Sequence, residues 1–127
     1  MKGKISTFGG ANDAGMTHTE GLSLYEHHEA DLRPDLFFPR SSDPTEGTSK
    51  RLRPDALYFA YRFKHEVFFR KDVQQTPFIL RNPKNGKMVC VSLVDWGPAE
   101  WTGRMFDLSP KAAELLGVET DEEVEIV

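Results

Sequence analysis

The stretch that decides the fold begins Asn82-Pro83-Lys84-Asn85-Gly86-Lys87 and runs on through Met88-Val89-Cys90-Val91-Ser92-Leu93-Val94-Asp95-Trp96-Gly97-Pro98. Three residues later it resumes as Thr102-Gly103-Arg104-Met105-Phe106-Asp107-Leu108-Ser109-Pro110. Asn85 and Gly86 both tolerate positive φ and lie between two β-prone runs, 76–82 and 87–94, so this spacing predicts a hairpin. The second arm is nearly continuous in apolar residues, the pattern of a buried central strand, with Cys90 as a small core residue inside it. Asp95 ends that arm and leads into a Gly97-Pro98 turn. Beyond it, Ser109 can accept hydrogen bonds from free N–H groups, Pro110 suits a first helical position and Gly117 supplies a left-handed stop. Residues 109–117 therefore read as one short helix.

Outward from this stretch, residues 4–8 read as a short strand, followed by turns at Gly9-Gly10 and Asn12-Asp13. Residues 22–25 read as a second strand, and the aromatic run 56–63 as another. Between them, residues 26–54 hold prolines and a Ser/Thr/Asp-rich run, the composition of a long surface loop, with a brief hydrophobic anchor at 36–38. A polar turn at 120–123 precedes a last strand at 124–127. No repeat is present, and the expectation is one mainly β domain over 1–127, a barrel with one short helix and a long loop insertion.

The chain has 127 residues, 39% of them hydrophobic and 28% charged, which is ordinary globular usage. Its net charge of −4 argues against nucleic acid or an anionic membrane as partner. A lone cysteine rules out an internal disulfide framework. No apolar run approaches the length of a membrane span, and the first residues lack the apolar core of a signal peptide. The expectation is synthesis in a cytoplasm, with any action outside it depending on delivery by some other route. Oligomeric state is left open. His18, His27, His28 and His65 show no His-x-x-x-His spacing and have no cysteine partners, so no metal is expected. No phosphate loop or dinucleotide fingerprint appears, and no cofactor is expected.

The Asn-Gly hairpin, the Asp95-Trp96-Gly97-Pro98 turn, Gly103-Arg104-x-x-Asp107-Leu108-Ser109 and the Ala-rich helix ending Leu116-Gly117 together resemble six-stranded double-psi β-barrel domains. In particular they resemble the rare-lipoprotein-A and expansin group. The resemblance covers about a third of the chain strongly; the first 80 residues match it loosely. It implies a polysaccharide partner, peptidoglycan foremost. Some members are lytic transglycosylases or glycoside hydrolases, whereas others bind wall polymers without cleaving them, so the reaction stays open. Delivery without a leader also suits a structural or interaction domain of a phage or prophage-encoded assembly.

Asp95 matches an aspartate important in both cleaving and loosening members. It is the candidate general acid, or else a cap on its own turn. Asp107 matches the expansin-type Asp-Leu-Ser-Pro aspartate and can share acid and base roles with Asp95, or hold the start of the helix. Glu20 and Asp13 are the supporting acids; Glu20 lies in Thr17-His18-Thr19-Glu20-Gly21, where Glu and Gly are transposed relative to the family stretch. Trp96 and Trp101 are candidate stacking platforms for a sugar ring, with Thr17, Thr19, Tyr61 and Arg104 as further substrate contacts. Tyr61 stands where the transglycosylases carry a histidine, and with an intrinsic pKa of about 10 a tyrosine is a poor replacement base. For Arg104 a structural salt bridge is the competing role.

Overall fold

The computed structural model describes residues 1–10, 12–64 and 70–127. Its elements are β1 (Lys2–Thr7), α1 (His27–Ala30), β2 (Tyr58–Tyr61), α2 (Arg70–Gln75), β3 (Pro77–Arg81), β4 (Met88–Asp95), β5 (Phe106–Leu108), α3 (Pro110–Leu116) and β6 (Glu123–Ile126). The strands close into a six-stranded barrel in the order β1-β5-β2-β4-β3-β6, with β6 returning to β1. The β1–β5 and β2–β4 pairs are parallel and the other four antiparallel, so the barrel is mixed. Closure removes the unpaired edges that an open sheet of such short strands would present.

Inward-facing residues from every strand fill the barrel. Ile5, Phe59, Leu80, Leu93, Phe106, Leu108 and Val124 are all fully buried. Phe59 and Tyr61, two apart on β2, share a face and stack at 5.6 Å between centroids, with Phe78 edge-on to both. The Asn85-Gly86 hairpin forms as the sequence implies, with Gly86 at φ 77°. In α3, Ser109 Oγ accepts the Ala112 N–H at 3.2 Å, Pro110 starts the helix and Gly117 ends it at φ 71°.

Four readings of the sequence are corrected. Residues 22–25 do not form a strand; they make a tight turn closed by one bridge between Leu22 and Tyr25. Their N–H groups go elsewhere, Leu22 to Thr48 Oγ1, Ser23 to Asp95 and Leu24 to the Val94 carbonyl, so no ladder can run. The 26–54 segment is more than a surface loop. It contains α1, a 3-10 turn at Thr48–Arg51 and a bridge between Phe37 and Leu52, and it buries Leu36, Phe37 and Leu52. Its organiser is a polar hub: Arg51, 2% exposed, donates to Phe38 O, His27 O and Asp31 Oδ1. Hydrophobic periodicity cannot reveal a hub of that kind.

Cys90 is exposed rather than in the core. Alternate residues of a strand face opposite ways, and on the outward face Cys90 and its cross-strand neighbour Ile79 are both exposed. Finally, α2 was not anticipated from the sequence, because it buries a single residue, Val73, and shows no apolar period. His65 lies outside the described residues. Among those described, no helix is long and apolar enough to cross a membrane.

Candidate functional site

A register shift in the sheet creates the site. On β2, Phe59 pairs with Leu93 of β4, yet the next residue, Ala60, pairs with Asp95, so Val94 is the extra residue of a bulge. Without the bulge Val94 would face Ala60, and Asp95 would be turned to the other side. Across its other edge Ala60 pairs with Asp107, and Asp107 with Ser6. Ser6, Asp107, Ala60 and Asp95 thus form one row over four strands, on one face of the sheet. Two strand spacings set the aspartate backbones about 10 Å apart, with only the Ala60 methyl between them.

The row opens into a groove of about 410 Å³, to which Asp13, Glu20, Asp95, Trp96 and Asp107 all contribute. The far wall is the 9–20 loop. Asp13 folds it, accepting the N–H groups of Gly9 and Gly15 at 2.8 Å each. Gly9 is required here: its φ is 108°, and a Cβ would lie 1.9 Å from the Tyr58 hydroxyl, which bonds Phe8 O. The insertion braces the wall from behind. Lys50 Nζ donates to Asp13 O at 2.7 Å, and Gly47 packs so closely that a Cβ would fall 2.0 Å from Glu20 O.

Asp95 Oδ1 accepts the Ser23 N–H at 2.8 Å, while Ser23 Oγ accepts the Trp96 N–H at 2.9 Å. Burial raises the Asp95 pKa, and the Ser23 N–H pulls in the opposite direction. Asp107 is pushed up to about 6, first by burial and then by the Asp95 charge, with Arg104 opposing. No donor among the described residues bonds its carboxylate. Glu20 is raised by burial and by Asp95 and Asp13, against a lowering pull from Lys50. These carboxylates act on each other, so the groove resists full ionisation and favours holding a proton.

The structure therefore gathers Asp13, Glu20, Asp95, Asp107 and Trp96, and leaves the other candidates outside. Trp96 is 43% exposed, and its indole N–H donates to Phe63 O. Trp101 projects from a 3-10 turn at Glu100–Thr102, 88% exposed and away from the groove lining. Tyr61, expected as a substrate contact, is buried in the aromatic core, because its side chain alternates with Ala60 and points inward. Thr17 and Thr19 are exposed and do not line the groove. Arg104 pairs with Asp121 at 2.9 Å, a structural salt bridge, but stays near enough to lower Asp107. The loop carrying Pro98 is tied down by Arg62, which donates to the carbonyls of Pro98 and Arg104.

Two features were missed. Ser23 holds Asp95 although 72 residues separate them, and no local signal marks it. A larger cleft of about 950 Å³ lies between α1, α2 and the β3–β4 hairpin. Its Arg33 is spent on Asp35, the Tyr25 hydroxyl, Gln74 O and Ser92 Oγ. Glu26, His28 and Glu29 bring ligand atoms within 4.8 Å of one another at its rim, but the Glu29 carboxylate already accepts from Arg70 and Gln74. His18 pairs with Asp43, and His27 bonds Glu46 O. No protein-family model matches the chain, and no curated protein proves similar to it.

Proposed function

We propose that the groove takes a strand of cell-wall polysaccharide, with peptidoglycan as the foremost substrate, in a barrel of the double-psi type found in the rare-lipoprotein-A and expansin group. The observation that carries this reading is the row itself. A strand bulge, a parallel pair and a folded loop deliver four carboxylates and one tryptophan, from distant parts of the chain, to one open groove. An open trough suits a polymer, which must enter and leave sideways, and the half-exposed Trp96 offers a face for sugar C–H groups.

In the cleaving form of this reading Asp107 is the stronger proton donor. It lies in the groove with no donor among the described residues and holds its proton up to about 6. Asp95, fixed by the Ser23 N–H, is the complementary carboxylate. This reverses the sequence expectation that Asp95 is the acid. The second reading, binding without cleavage, is favoured by Tyr61: the position of the family histidine is turned into the core. A groove filled by residues 26–54 would favour the assembly reading, and those residues do not line it.

The deciding experiment is digestion of purified sacculi with mass spectrometry of the soluble fragments, beside Asp95→Asn and Asp107→Asn. Anhydro-sugar ends released only by the native chain mark a lytic transglycosylase, and new reducing ends a hydrolase. Sedimentation with sacculi without release leaves the binding module. The absence of both release and binding would sink the wall reading.

A further inference from the structure

The turn that holds Asp95 is itself gripped from the opposite side. Ser23 gives its N–H to Asp95 and its hydroxyl oxygen to the Trp96 N–H, so both groove residues hang from one serine. Its carbonyl accepts from Arg70 Nη1 of α2. Arg70 is in turn locked by Glu29 of α1, with Nε at 2.9 Å from one carboxylate oxygen and Nη2 on the other. Gln74, one turn along α2, donates both to Glu29 and to Leu24 O, the next carbonyl of the same turn. Glu29 also accepts the Glu26 N–H at the start of α1. Neither α1 nor α2 belongs to the barrel, yet every bond of this chain converges on two residues of the turn. A bidentate guanidinium–carboxylate pair has a fixed geometry, so it transmits position better than a single flexible contact.

We infer that Arg70 and Glu29 form a clamp that positions Asp95 through Ser23, making the paired short helices the part of the molecule that sets the alignment of the groove carboxylate. The inference rests on the groove being the functional site, but its test needs no glycan. The groups facing Asp95 are Asp107 from β5 and Glu20 from the 9–20 loop, both acidic, with Asp13 beside them. The Ser23 N–H is therefore the main influence favouring its charged form, and loosening the turn lets the Asp95 pKa climb.

The experiment is a carboxyl-carbon NMR titration of Asp95 in the full chain and in Arg70→Gln and Glu29→Ala variants, with amide spectra to verify folding. The Glu29→Ala variant separates two causes by sign. Removing a negative charge lowers a nearby aspartate pKa through space, whereas releasing the clamp raises it. An upward shift of about half a unit or more is expected in both variants, from partial loss of a charge-assisted hydrogen bond. Arg70→Lys should recover part of it, since an ammonium can still reach the Ser23 carbonyl. An Asp95 titration unmoved or lowered in folded Glu29→Ala overturns the inference, whatever the sacculus assay reports. If Arg70→Gln fails to fold, Glu29→Ala alone carries the decision, because it keeps the Arg70 side chain and removes only the carboxylate that holds it against Ser23.

Discussion

Replacing Asp107 by asparagine keeps the shape of the side chain and removes the charge that the groove resists. Burial and the neighbouring Asp95 hold the carboxyl at about 6, against 3.8 for an unperturbed aspartate. The folded state thus binds the proton more tightly than the unfolded chain, and stability falls as pH rises between those values. Below 3.8 both states are protonated and the penalty vanishes; above 6 it is fully present. A rise of about 2 units at about 1.4 kcal/mol per unit caps the penalty at about 3 kcal/mol. Solvent reaching the open groove brings the expected value to about 1–3 kcal/mol. Asp107→Asn should therefore stabilise the protein relative to the native chain at pH 7.5, with the advantage gone at pH 4. Urea unfolding followed by far-UV circular dichroism at both pH values reads this directly as a midpoint shift at constant slope. The comparison cancels any pH-independent packing cost of the amide. A difference between the two proteins that is the same at both pH values, or larger at pH 4, would falsify the account of the groove as a site of mutually raised carboxylates.

Ser109→Ala removes both the cap on Ala112 and an acceptor facing Tyr58 N, and should cost about 1–2 kcal/mol in urea unfolding. Arg51→Met keeps the volume of the hub but leaves Phe38 O without its buried donor, for about 2 kcal/mol, and limited proteolysis should then cut within 26–54 before the barrel. Trp96→Ala should weaken co-sedimentation with sacculi about threefold to tenfold while hardly moving the unfolding midpoint, since its backbone N–H to Ser23 Oγ survives. Equal losses of binding and of stability would assign Trp96 to packing instead.

Much of the barrel was legible because its signals are local. The Asn85-Gly86 turn, the Ser109 cap, the Pro110 start and the Gly117 stop each follow from the dihedral and hydrogen-bonding preferences of one or two residues, and the structure places each where those preferences put it. The same logic misled at 22–25, where a β-prone composition met N–H groups already committed to Thr48, Asp95 and Val94. It also misled at Cys90, because an apolar run says nothing about which of its faces will be covered.

Sequence alone determined the barrel strands around the hairpin, the helix with both of its ends, and the acids worth watching: Asp13, Glu20, Asp95 and Asp107. Tertiary structure alone decided that these four share one groove, that Tyr61 and Trp101 stay out of it, and that Ser23 and the Arg70–Glu29 pair stand behind it. The reason is physical. Caps and turns depend on neighbours within a few residues, whereas the Val94 bulge, the Ser23–Asp95 bond and the Arg51 hub need partners brought together by closure of the barrel.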